Sequence, residues 1–437
     1  MNSKHLFFLV ILFSWIACNK NDSEVLCPIP SSRPNILLII ADDQGTDAAP
    51  GYAQGIIKPY MPHLEEMMSA GITYDNVWAY PVCSPTRASI LSGRYSHRTG
   101  VLNANEASAI PNSELTLQSY LDQYTSNAYD HAIIGKWHLS INEPERPTQM
   151  GIGYYAGLLS GSVSDYNNWP LTQNGQTSMY NGYITTKISD LAIDWLAAQN
   201  GPWFCWLAYT APHTPFHLPP SYMHSQGDLP QDQGSIDANP NPYFMAMCES
   251  VDYEMGRVIA SIPQSQLSNT IIIYIGDNGT SGEVIQAPYS APQGKGSLFQ
   301  GGIHVPMVIS GMSVTRVNEH DSTMISTTDL YATIANIAGV AVSQYEDSYS
   351  FKPSLTAPFV GLRAYNYAEV LDAIPLRSGH TIRNKRYKLI NLDSGQQRFY
   401  DLMLDPFEQN NLLINSLSDT QSLAFLELTD ALVAIRL

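Results

Sequence analysis

The chain has 437 residues, of which 44% are hydrophobic, and a formal net charge of −17. That length and apolar content allow one large core and a smaller one, and the lack of low-complexity tracts excludes a chain disordered throughout. The negative charge speaks against nucleic acid as a partner, because phosphate binding needs a basic surface. It also means that an anionic ligand must be held by a local cationic pocket against the field of the whole molecule.

Residues 1–18 read as an export signal. Lys4 supplies a positive charge, and residues 6–17 are almost wholly apolar yet too short to span a bilayer. Ala17-Cys18 with the polar stretch 19–24 behind it resembles a bacterial lipoprotein signal in which Cys18 carries the lipid, although Trp15 is unusual three positions before the cysteine. The alternative is an ordinary cleaved signal peptide. The protein is therefore expected outside the cytoplasm, lipid-anchored to a membrane facing the periplasm or cell surface, or else free in the periplasm. Residues 19–33 read as a tether.

The first expected core element is the run Asn35–Ala41, nearly continuous in apolar residues, as in strands buried on both faces of a sheet. Similar runs follow at His131–Ile134, Trp203–Tyr209, Thr270–Ile275 and Val305–Ile309. Between them, Ile184, Ile188, Leu191 and Trp195 have helical spacing, and so do Met245, Cys248, Val251, Met255 and Val258. This alternation predicts an α/β fold, a large doubly wound mixed sheet flanked by helices, over residues 34–340. A helix over Thr328–Ala338 is expected to end at Gly339. Residues 341–437 then read as a smaller C-terminal α+β subdomain, with strands around Ala364–Val370, Thr381–Ile390 and Arg398–Leu402 and a last helix over Thr420–Ile435. The five cysteines are Cys18, Cys27, Cys83, Cys205 and Cys248. Their surroundings give no disulfide framework, and Cys205 and Cys248 are expected in the core.

Polar groups gather where these strands end. Asp42 and Asp43 follow the first, Lys136 and His138 the second, His213 the third, and Asp277 and Asn278 the fourth. In open α/β sheets, ligands bind beyond the carboxyl ends of the strands, so the four sets can converge on one crevice. Asp42, Asp43, Asp277 and Asn278 offer only oxygen, which suits a hard cation, calcium or magnesium; calcium tolerates the irregular geometry of ligands from distant segments. A plain turn is the other reading of Asp277-Asn278-Gly279.

In Cys83-Ser84-Pro85-Thr86-Arg87, Pro85 suits the first turn of a helix and Gly93 its end. Cys83 then lies just before a helix N-terminus, where backbone N–H groups favour negative charge. It reads as a reactive thiolate or as a buried structural cysteine.

The same segment resembles the maturation signature of the formylglycine-dependent sulfatases, members of the alkaline phosphatase superfamily. The resemblance runs from Pro34-Asn35-Ile36 and Asp42-Asp43 through Met61-Pro62-His63-Leu64, Gly135-Lys136-Trp137-His138, Ala211-Pro212-His213 and Gly276-Asp277-Asn278-Gly279. It continues to Gly294-Lys295-Gly296, Gly301-Gly302-Ile303-His304-Val305-Pro306 and Tyr400-Asp401-Leu402. It implies a sulfuric ester hydrolase whose Cys83 is converted to formylglycine by a maturation enzyme and whose hydrated side chain is the nucleophile. One calcium ion would be bound by Asp42, Asp43, Asp277, Asn278 and residue 83. Arg87 and His138 would hold the two hydroxyls at residue 83, Lys136 and Lys295 would bind sulfate oxygens, and His213 would protonate the leaving alcohol. The substrate class implied is a sulfated polysaccharide or oligosaccharide. The chain departs from the pattern at Gln300 and His304, where the family often has Glu and Arg, and at Ala332, where it often has Pro. Tyr166, Trp169 and His217 are further candidates for substrate contact. Trp169 is expected either to stack on a sugar ring or to be an exposed loop aromatic. A phosphate or phosphonate monoester hydrolase on the same fold, and a catalytically inactive glycan-binding lipoprotein, are the competing functions.

Overall fold

The computed structural model describes residues 33–105, 109–140, 142–372 and 377–437. The expected signal, the Cys18 anchor, Cys27 and all but the last residue of the tether lie outside the described residues. Among the described residues, no helix is long and apolar enough to cross a membrane.

Ten strands form the main sheet: β1 (Asn35–Ala41), β2 (Gly71–Tyr74), β3 (Asp130–Gly135), β4 (Tyr154–Gly157), β5 (Asn168–Gln173), β6 (Gln176–Asn181), β7 (Trp203–Ala208), β8 (Thr270–Gly276), β9 (Met307–Gly311) and β10 (Glu319–Asp321). They lie side by side in the order β10-β2-β9-β8-β1-β7-β3-β4-β5-β6. The centre is parallel: β1 pairs with β7 and β8, and β3 with β7 and β4. The apolar run expected at Val305–Ile309 starts two residues later and, as β9, runs antiparallel to both neighbours, which makes the sheet mixed.

Seven helices complete the frame needed below: α1 (Pro62–Ser69), α2 (Cys83–Ser92), α3 (Leu117–Thr125), α4 (Ile184–Ala197), α5 (Asn241–Ser261), α6 (Leu330–Ile337) and α7 (Asp419–Arg436). Strand β1 shows why the sheet is covered on both sides. Ile36, Leu38 and Ile40 join one core with Ile90 and Leu91 of α2, Leu121 of α3 and Ile334 of α6. Leu37, Ile39 and Ala41 point the other way, into a core with Leu64 of α1, Ile188 of α4 and Val251 of α5. The period-two alternation of a strand thus feeds two hydrophobic layers. Cys205 and Cys248 are buried in the second layer, as expected.

The C-terminal part carries a four-stranded antiparallel sheet, β11 (Asn366–Val370), β12 (Gly379–Arg383), β13 (Tyr387–Leu392) and β14 (Gln397–Asp401), in that order. The single strand expected over Thr381–Ile390 is two strands. Asn384 reverses the chain by accepting from Arg386 N (2.9 Å) and Tyr387 N (2.7 Å), a turn chemistry open to asparagine and hidden inside an otherwise strand-like run. Leu428 and Leu432 of α7 pack with Ile382, Leu389 and Phe399 of this sheet and with Trp78 and Ile303 of the larger part. Tyr400 packs with Leu298. The small sheet is thereby fixed against the segment that carries Lys295.

Trp169 is neither an exposed loop aromatic nor open to a ligand. It lies in β5, 0% exposed, in the second hydrophobic layer. The alternation of β5 turns Trp169 and Leu171 inward.

Candidate active site

Four strands end on the same side of the sheet, and the expected residues meet there. After β1, Asp42 and Asp43 are 0% and 2% exposed, and Asp43 takes a left-handed turn conformation (φ 70°) that ends the strand. Ligand atoms of Asp42, Asp43 and His213 all lie within 4.8 Å of one another, as do those of Asp42, Cys83 and Asp277.

The cluster is tied together from α2. Cys83 is the first residue of that helix rather than the residue before it, and its side chain is buried. One turn on, Arg87 is 0% exposed and donates from Nε (3.1 Å) and Nη2 (2.7 Å) to Asp277 Oδ2, while Nη1 reaches Lys136 O (2.8 Å). A planar, always-charged fork is what such a buried junction requires. Asp277 Oδ1 accepts from Asp43 N (3.1 Å), and Asn278 Nδ2 donates to Asp43 Oδ1 (2.8 Å). Lys136 pairs with Asp42, and Lys295 Nζ lies 2.6 Å and 2.8 Å from the two oxygens of Asp43. Burial pushes the Asp43 carboxyl up, but the lysine pairing, with His213 and Lys136 behind it, holds it below the usual carboxylate range. Asp42 ends on the other side: burial, with Asp277 adding repulsion, pushes it well above that range.

Two oxygens in this cluster, Asp42 Oδ1 and Asn278 Oδ1, are buried without a hydrogen-bond partner. Buried acceptors are normally satisfied, and both lie among the oxygen donors suited to a hard cation, so the residues fit a divalent ion.

The histidines are positioned from behind. His138 also has a left-handed backbone (φ 55°), its carbonyl accepts from Ser84 Oγ (2.8 Å), and its Nδ1 lies 3.1 Å from Cys83 Sγ. Its ring fits because residue 161 is glycine: a Cβ there would come within 2.1 Å of it. Burial, helped by Lys136 and Arg87, lowers the His138 pKa well below the ordinary value, so the ring is neutral. His213 Nδ1 donates to Thr214 O (2.8 Å), which leaves Nε2 facing the cluster, 3.8 Å from Asp43 Oδ2. Burial, opposed by Asp43 and assisted by Lys295 and Lys136, brings His213 down to about 3.

All ten residues singled out from the sequence therefore meet in one place. The further candidates Tyr166 and His217, and the departures at Gln300, His304 and Ala332, do not. The Tyr166 hydroxyl reaches the carbonyls of Thr210 (3.0 Å) and His213 (2.5 Å), and its ring packs 4.1 Å from that of His217, whose Nε2 in turn contacts Tyr183 Oη (3.1 Å). Tyr166 and His217 thus buttress the His213 loop from the buried side. Gln300 accepts from Trp78 Nε1 (2.9 Å), and His304 Nε2 contacts Asp75 O (2.7 Å), both where the main part meets the small sheet. Ala332 N donates to Ser348 Oγ (2.9 Å), a bond that proline could not make. Sequence reasoning missed Ser84 and Gly161, which hold and admit His138. A hydroxyl and a glycine give no signal of such a role until the loops are seen together.

The model of the family described as Sulfatase matches residues 34–340, and one described as N-sulphoglucosamine sulphohydrolase, C-terminal, matches 294–434. The chain belongs to the sulfatase family. It is 25% identical to the ulvan-active sulfatase of Formosa agariphila over 93% of this chain and 82% of that one. It is 24% identical to the N-acetylglucosamine-6-O-sulfatase of Bacteroides thetaiotaomicron over 87% and 83%. Its fold is similar to that of Ps i-CgsB, solved in complex with k-i-k-neocarrahexaose (TM-score 0.76, 23% identity, 92% and 93% of the two chains). It is also similar to that of BT4656, solved in complex with its substrate D-glucosamine-2-N,6-O-disulfate (TM-score 0.74, 21% identity, 92% and 98%). This sulfatase is a sulfuric ester hydrolase, and its Lys295 also lines a cleft of about 660 Å³ to which the small sheet contributes.

Proposed function

We propose that the chain removes sulfate from a sulfated carbohydrate, using formylglycine made from Cys83 by a maturation enzyme and one calcium ion. The observation that carries this reading is the convergence of Asp42, Cys83 and Asp277 within 4.8 Å, with two buried oxygens left without donors beside them. Asp42, Asp43, Asp277 and Asn278 would hold the ion, which would supply positive charge to the sulfate and to the attacking oxygen. Formylglycine, once hydrated, supplies two hydroxyls on one carbon, one to attack sulfur and one to lose its proton as sulfate leaves.

The remaining steps belong to the chain's own side chains. Arg87, locked by Asp277, fixes the base of residue 83 from one turn along α2. Neutral His138, 3.1 Å from Cys83 Sγ, is placed to take a proton there. With Asp42 and Asp43 holding the cation, Lys136 and Lys295 would be free to neutralise sulfate oxygens. His213 presents Nε2 toward the same space. A bound sulfate puts negative charge beside it, which raises its pKa from about 3 and favours the protonated form that the leaving alcohol needs. The carbohydrate assignment is supported by relatives named for ulvan and N-acetylglucosamine sulfate. Export, with lipid anchoring at Cys18, fits a polymeric substrate; labelled palmitate should enter the intact protein and not a Cys18→Ala variant, and an unlabelled intact protein would reject the anchor.

The test of the function is direct. Protein matured in a host with a formylglycine-generating system should show the aldehyde or its hydrate at residue 83 by peptide mass spectrometry. It should release sulfate from nitrophenyl sulfate and from sulfated oligosaccharides far faster than it releases phosphate from nitrophenyl phosphate. An active preparation containing only the unmodified thiol, or a preference for the phosphate ester, would overturn the reading.

A further inference from the structure

The cleft beyond Lys295 has features that sulfate hydrolysis alone does not require. Its volume of about 660 Å³ falls within the range of small-molecule sites, and Lys295 belongs both to its lining and to the catalytic cluster, so the two lie side by side. Its far wall comes from the small sheet. Arg377 precedes β12, while Arg398 of β14 sits directly across from Ile390 of β13. Most arginines of the chain are neutralised, as Arg87 is by Asp277 and Arg363 by Asp329. Arg377 and Arg398 are in no ion pair among the described residues, although the chain carries a net charge of −17 and acid side chains are plentiful. The acidic residue lining the cleft is Glu283, and it is exposed.

The geometry of Arg398 is equally specific. Its guanidinium lies 5.4 Å from the centre of the Phe299 ring, and Phe299 leans on Tyr400. An arginine held over an aromatic face keeps the edge of its fork available for a planar or tetrahedral oxyanion, with less rotamer freedom to lose on binding. Phe299 and Ile390 add an apolar surface beside the cations. The wall thus offers two guanidinium groups without a carboxylate partner among the described residues, Arg398 also interacting with Tyr400, and an apolar platform next to Lys295.

We propose that this cleft is a second anion-binding subsite, read by Arg377 and Arg398, and that the preferred substrate carries another sulfate or a carboxylate beside the sulfate that is removed. This rests on the sulfatase reading of the catalytic cluster and deepens it. The main sheet supplies the chemistry; the small sheet selects for the second charge.

The test uses mature full-length protein and matched pairs of oligosaccharides that differ by one anionic group, in one arm a second sulfate and in the other a uronate carboxylate. For each pair, kcat/KM for sulfate release and the strength of inhibition of nitrophenyl sulfate turnover are measured. The doubly anionic member should be favoured about ten- to a hundred-fold in one arm, as expected for charge-assisted hydrogen bonds. That preference should shrink in high salt. Arg377→Gln with Arg398→Gln should remove most of it, read as the ratio between the two members so that any loss of folded protein cancels. Arg398→Lys, which keeps charge without the fork, should retain part of it. Equal kcat/KM and equal inhibition for both members in both arms, or a preference that survives the double substitution, would overturn the subsite. Failure of the wild-type protein to hydrolyse nitrophenyl sulfate would instead overturn the sulfatase reading beneath it.

Discussion

Two buried charge clusters in this protein are built from the same residue types and behave differently. Around Asp329, every acceptor is used. Its two oxygens accept from Arg363, Ser326 N (2.9 Å) and Tyr349 N (2.8 Å), and Arg363 also donates to Tyr95 Oη and Asp347 O while lying over the Tyr349 ring. Around Asp42, three carboxylates crowd together, and two oxygens have no donor. A closed network holds a fold; an open one, equally buried and gathered at the strand ends, stores an unmet demand that a cation can satisfy. Burial and charge alone do not tell the two apart, whereas an account of each oxygen does.

The contrast breaks most severely at residue 83. Cys83→Ala should lower sulfate release by about 10⁴-fold or more, since a nucleophile is lost, while thermal melting stays near the wild-type value. A variant that retains activity would show that the open cluster does not work through this residue. Chelation followed by dialysis should likewise abolish turnover, and added calcium should restore it together with stability. At a hundredfold excess over Kd the ligand is worth about 2.7 kcal/mol, which a calorimetric melt can read. Activity in a demonstrably metal-free sample would remove the metal from the account.

His213→Ala sharpens the division of labour within the open cluster. It should lose about 10²–10⁴-fold on a sugar sulfate, whose alkoxide needs a proton, and far less on nitrophenyl sulfate. Equal losses on both would deny it the role of acid. The closed network should answer in the opposite currency. Arg363→Ala leaves a buried carboxylate unpaired and should cost about 3–5 kcal/mol in denaturant unfolding, with little change in activity per folded molecule. The smallest effect expected is at Glu369, both of whose oxygens accept hydrogen bonds. Burial pushes its carboxyl up, but His97 outweighs that and draws it down to about 2. Its stabilisation is therefore present above the usual carboxylate range and lost as the pH falls toward 2. Glu369→Gln should flatten that acid loss by about 1–3 kcal/mol, measured as unfolding free energy against pH.

How much was legible beforehand follows from which forces act locally. Strand β1 and its central partners could be read because a doubly buried strand must be an unbroken apolar run, and the site residues could be read because they sit at the ends of such runs. Orientation could not: Val305–Ile309 is as apolar as its neighbours, and only pairing shows that β9 runs the other way. The burial of Trp169 was missed because the hairpin of β5 and β6 turns it inward, and the turn at Asn384 because the surrounding residues all favour strand. Arg377 and Arg398 were invisible for a different reason. Each is an ordinary arginine in its own stretch of sequence and acquires meaning only when the small sheet docks beside Lys295.

Strand β1 emerges first during synthesis, yet it lies in the middle of the sheet, and Asp43 meets Asn278 across 235 positions of chain. The central ladder, and with it the cluster around Asp42, cannot close until β8 has been made, and such distant pairings are slow to find. In the folded chain the Cys83 side chain is only 1% exposed. The order of the strands thus acts as a clock. Under the proposed function, a maturation enzyme would have to reach residue 83 before the sheet closes, so chains that collapse too early would be structurally sound and chemically silent.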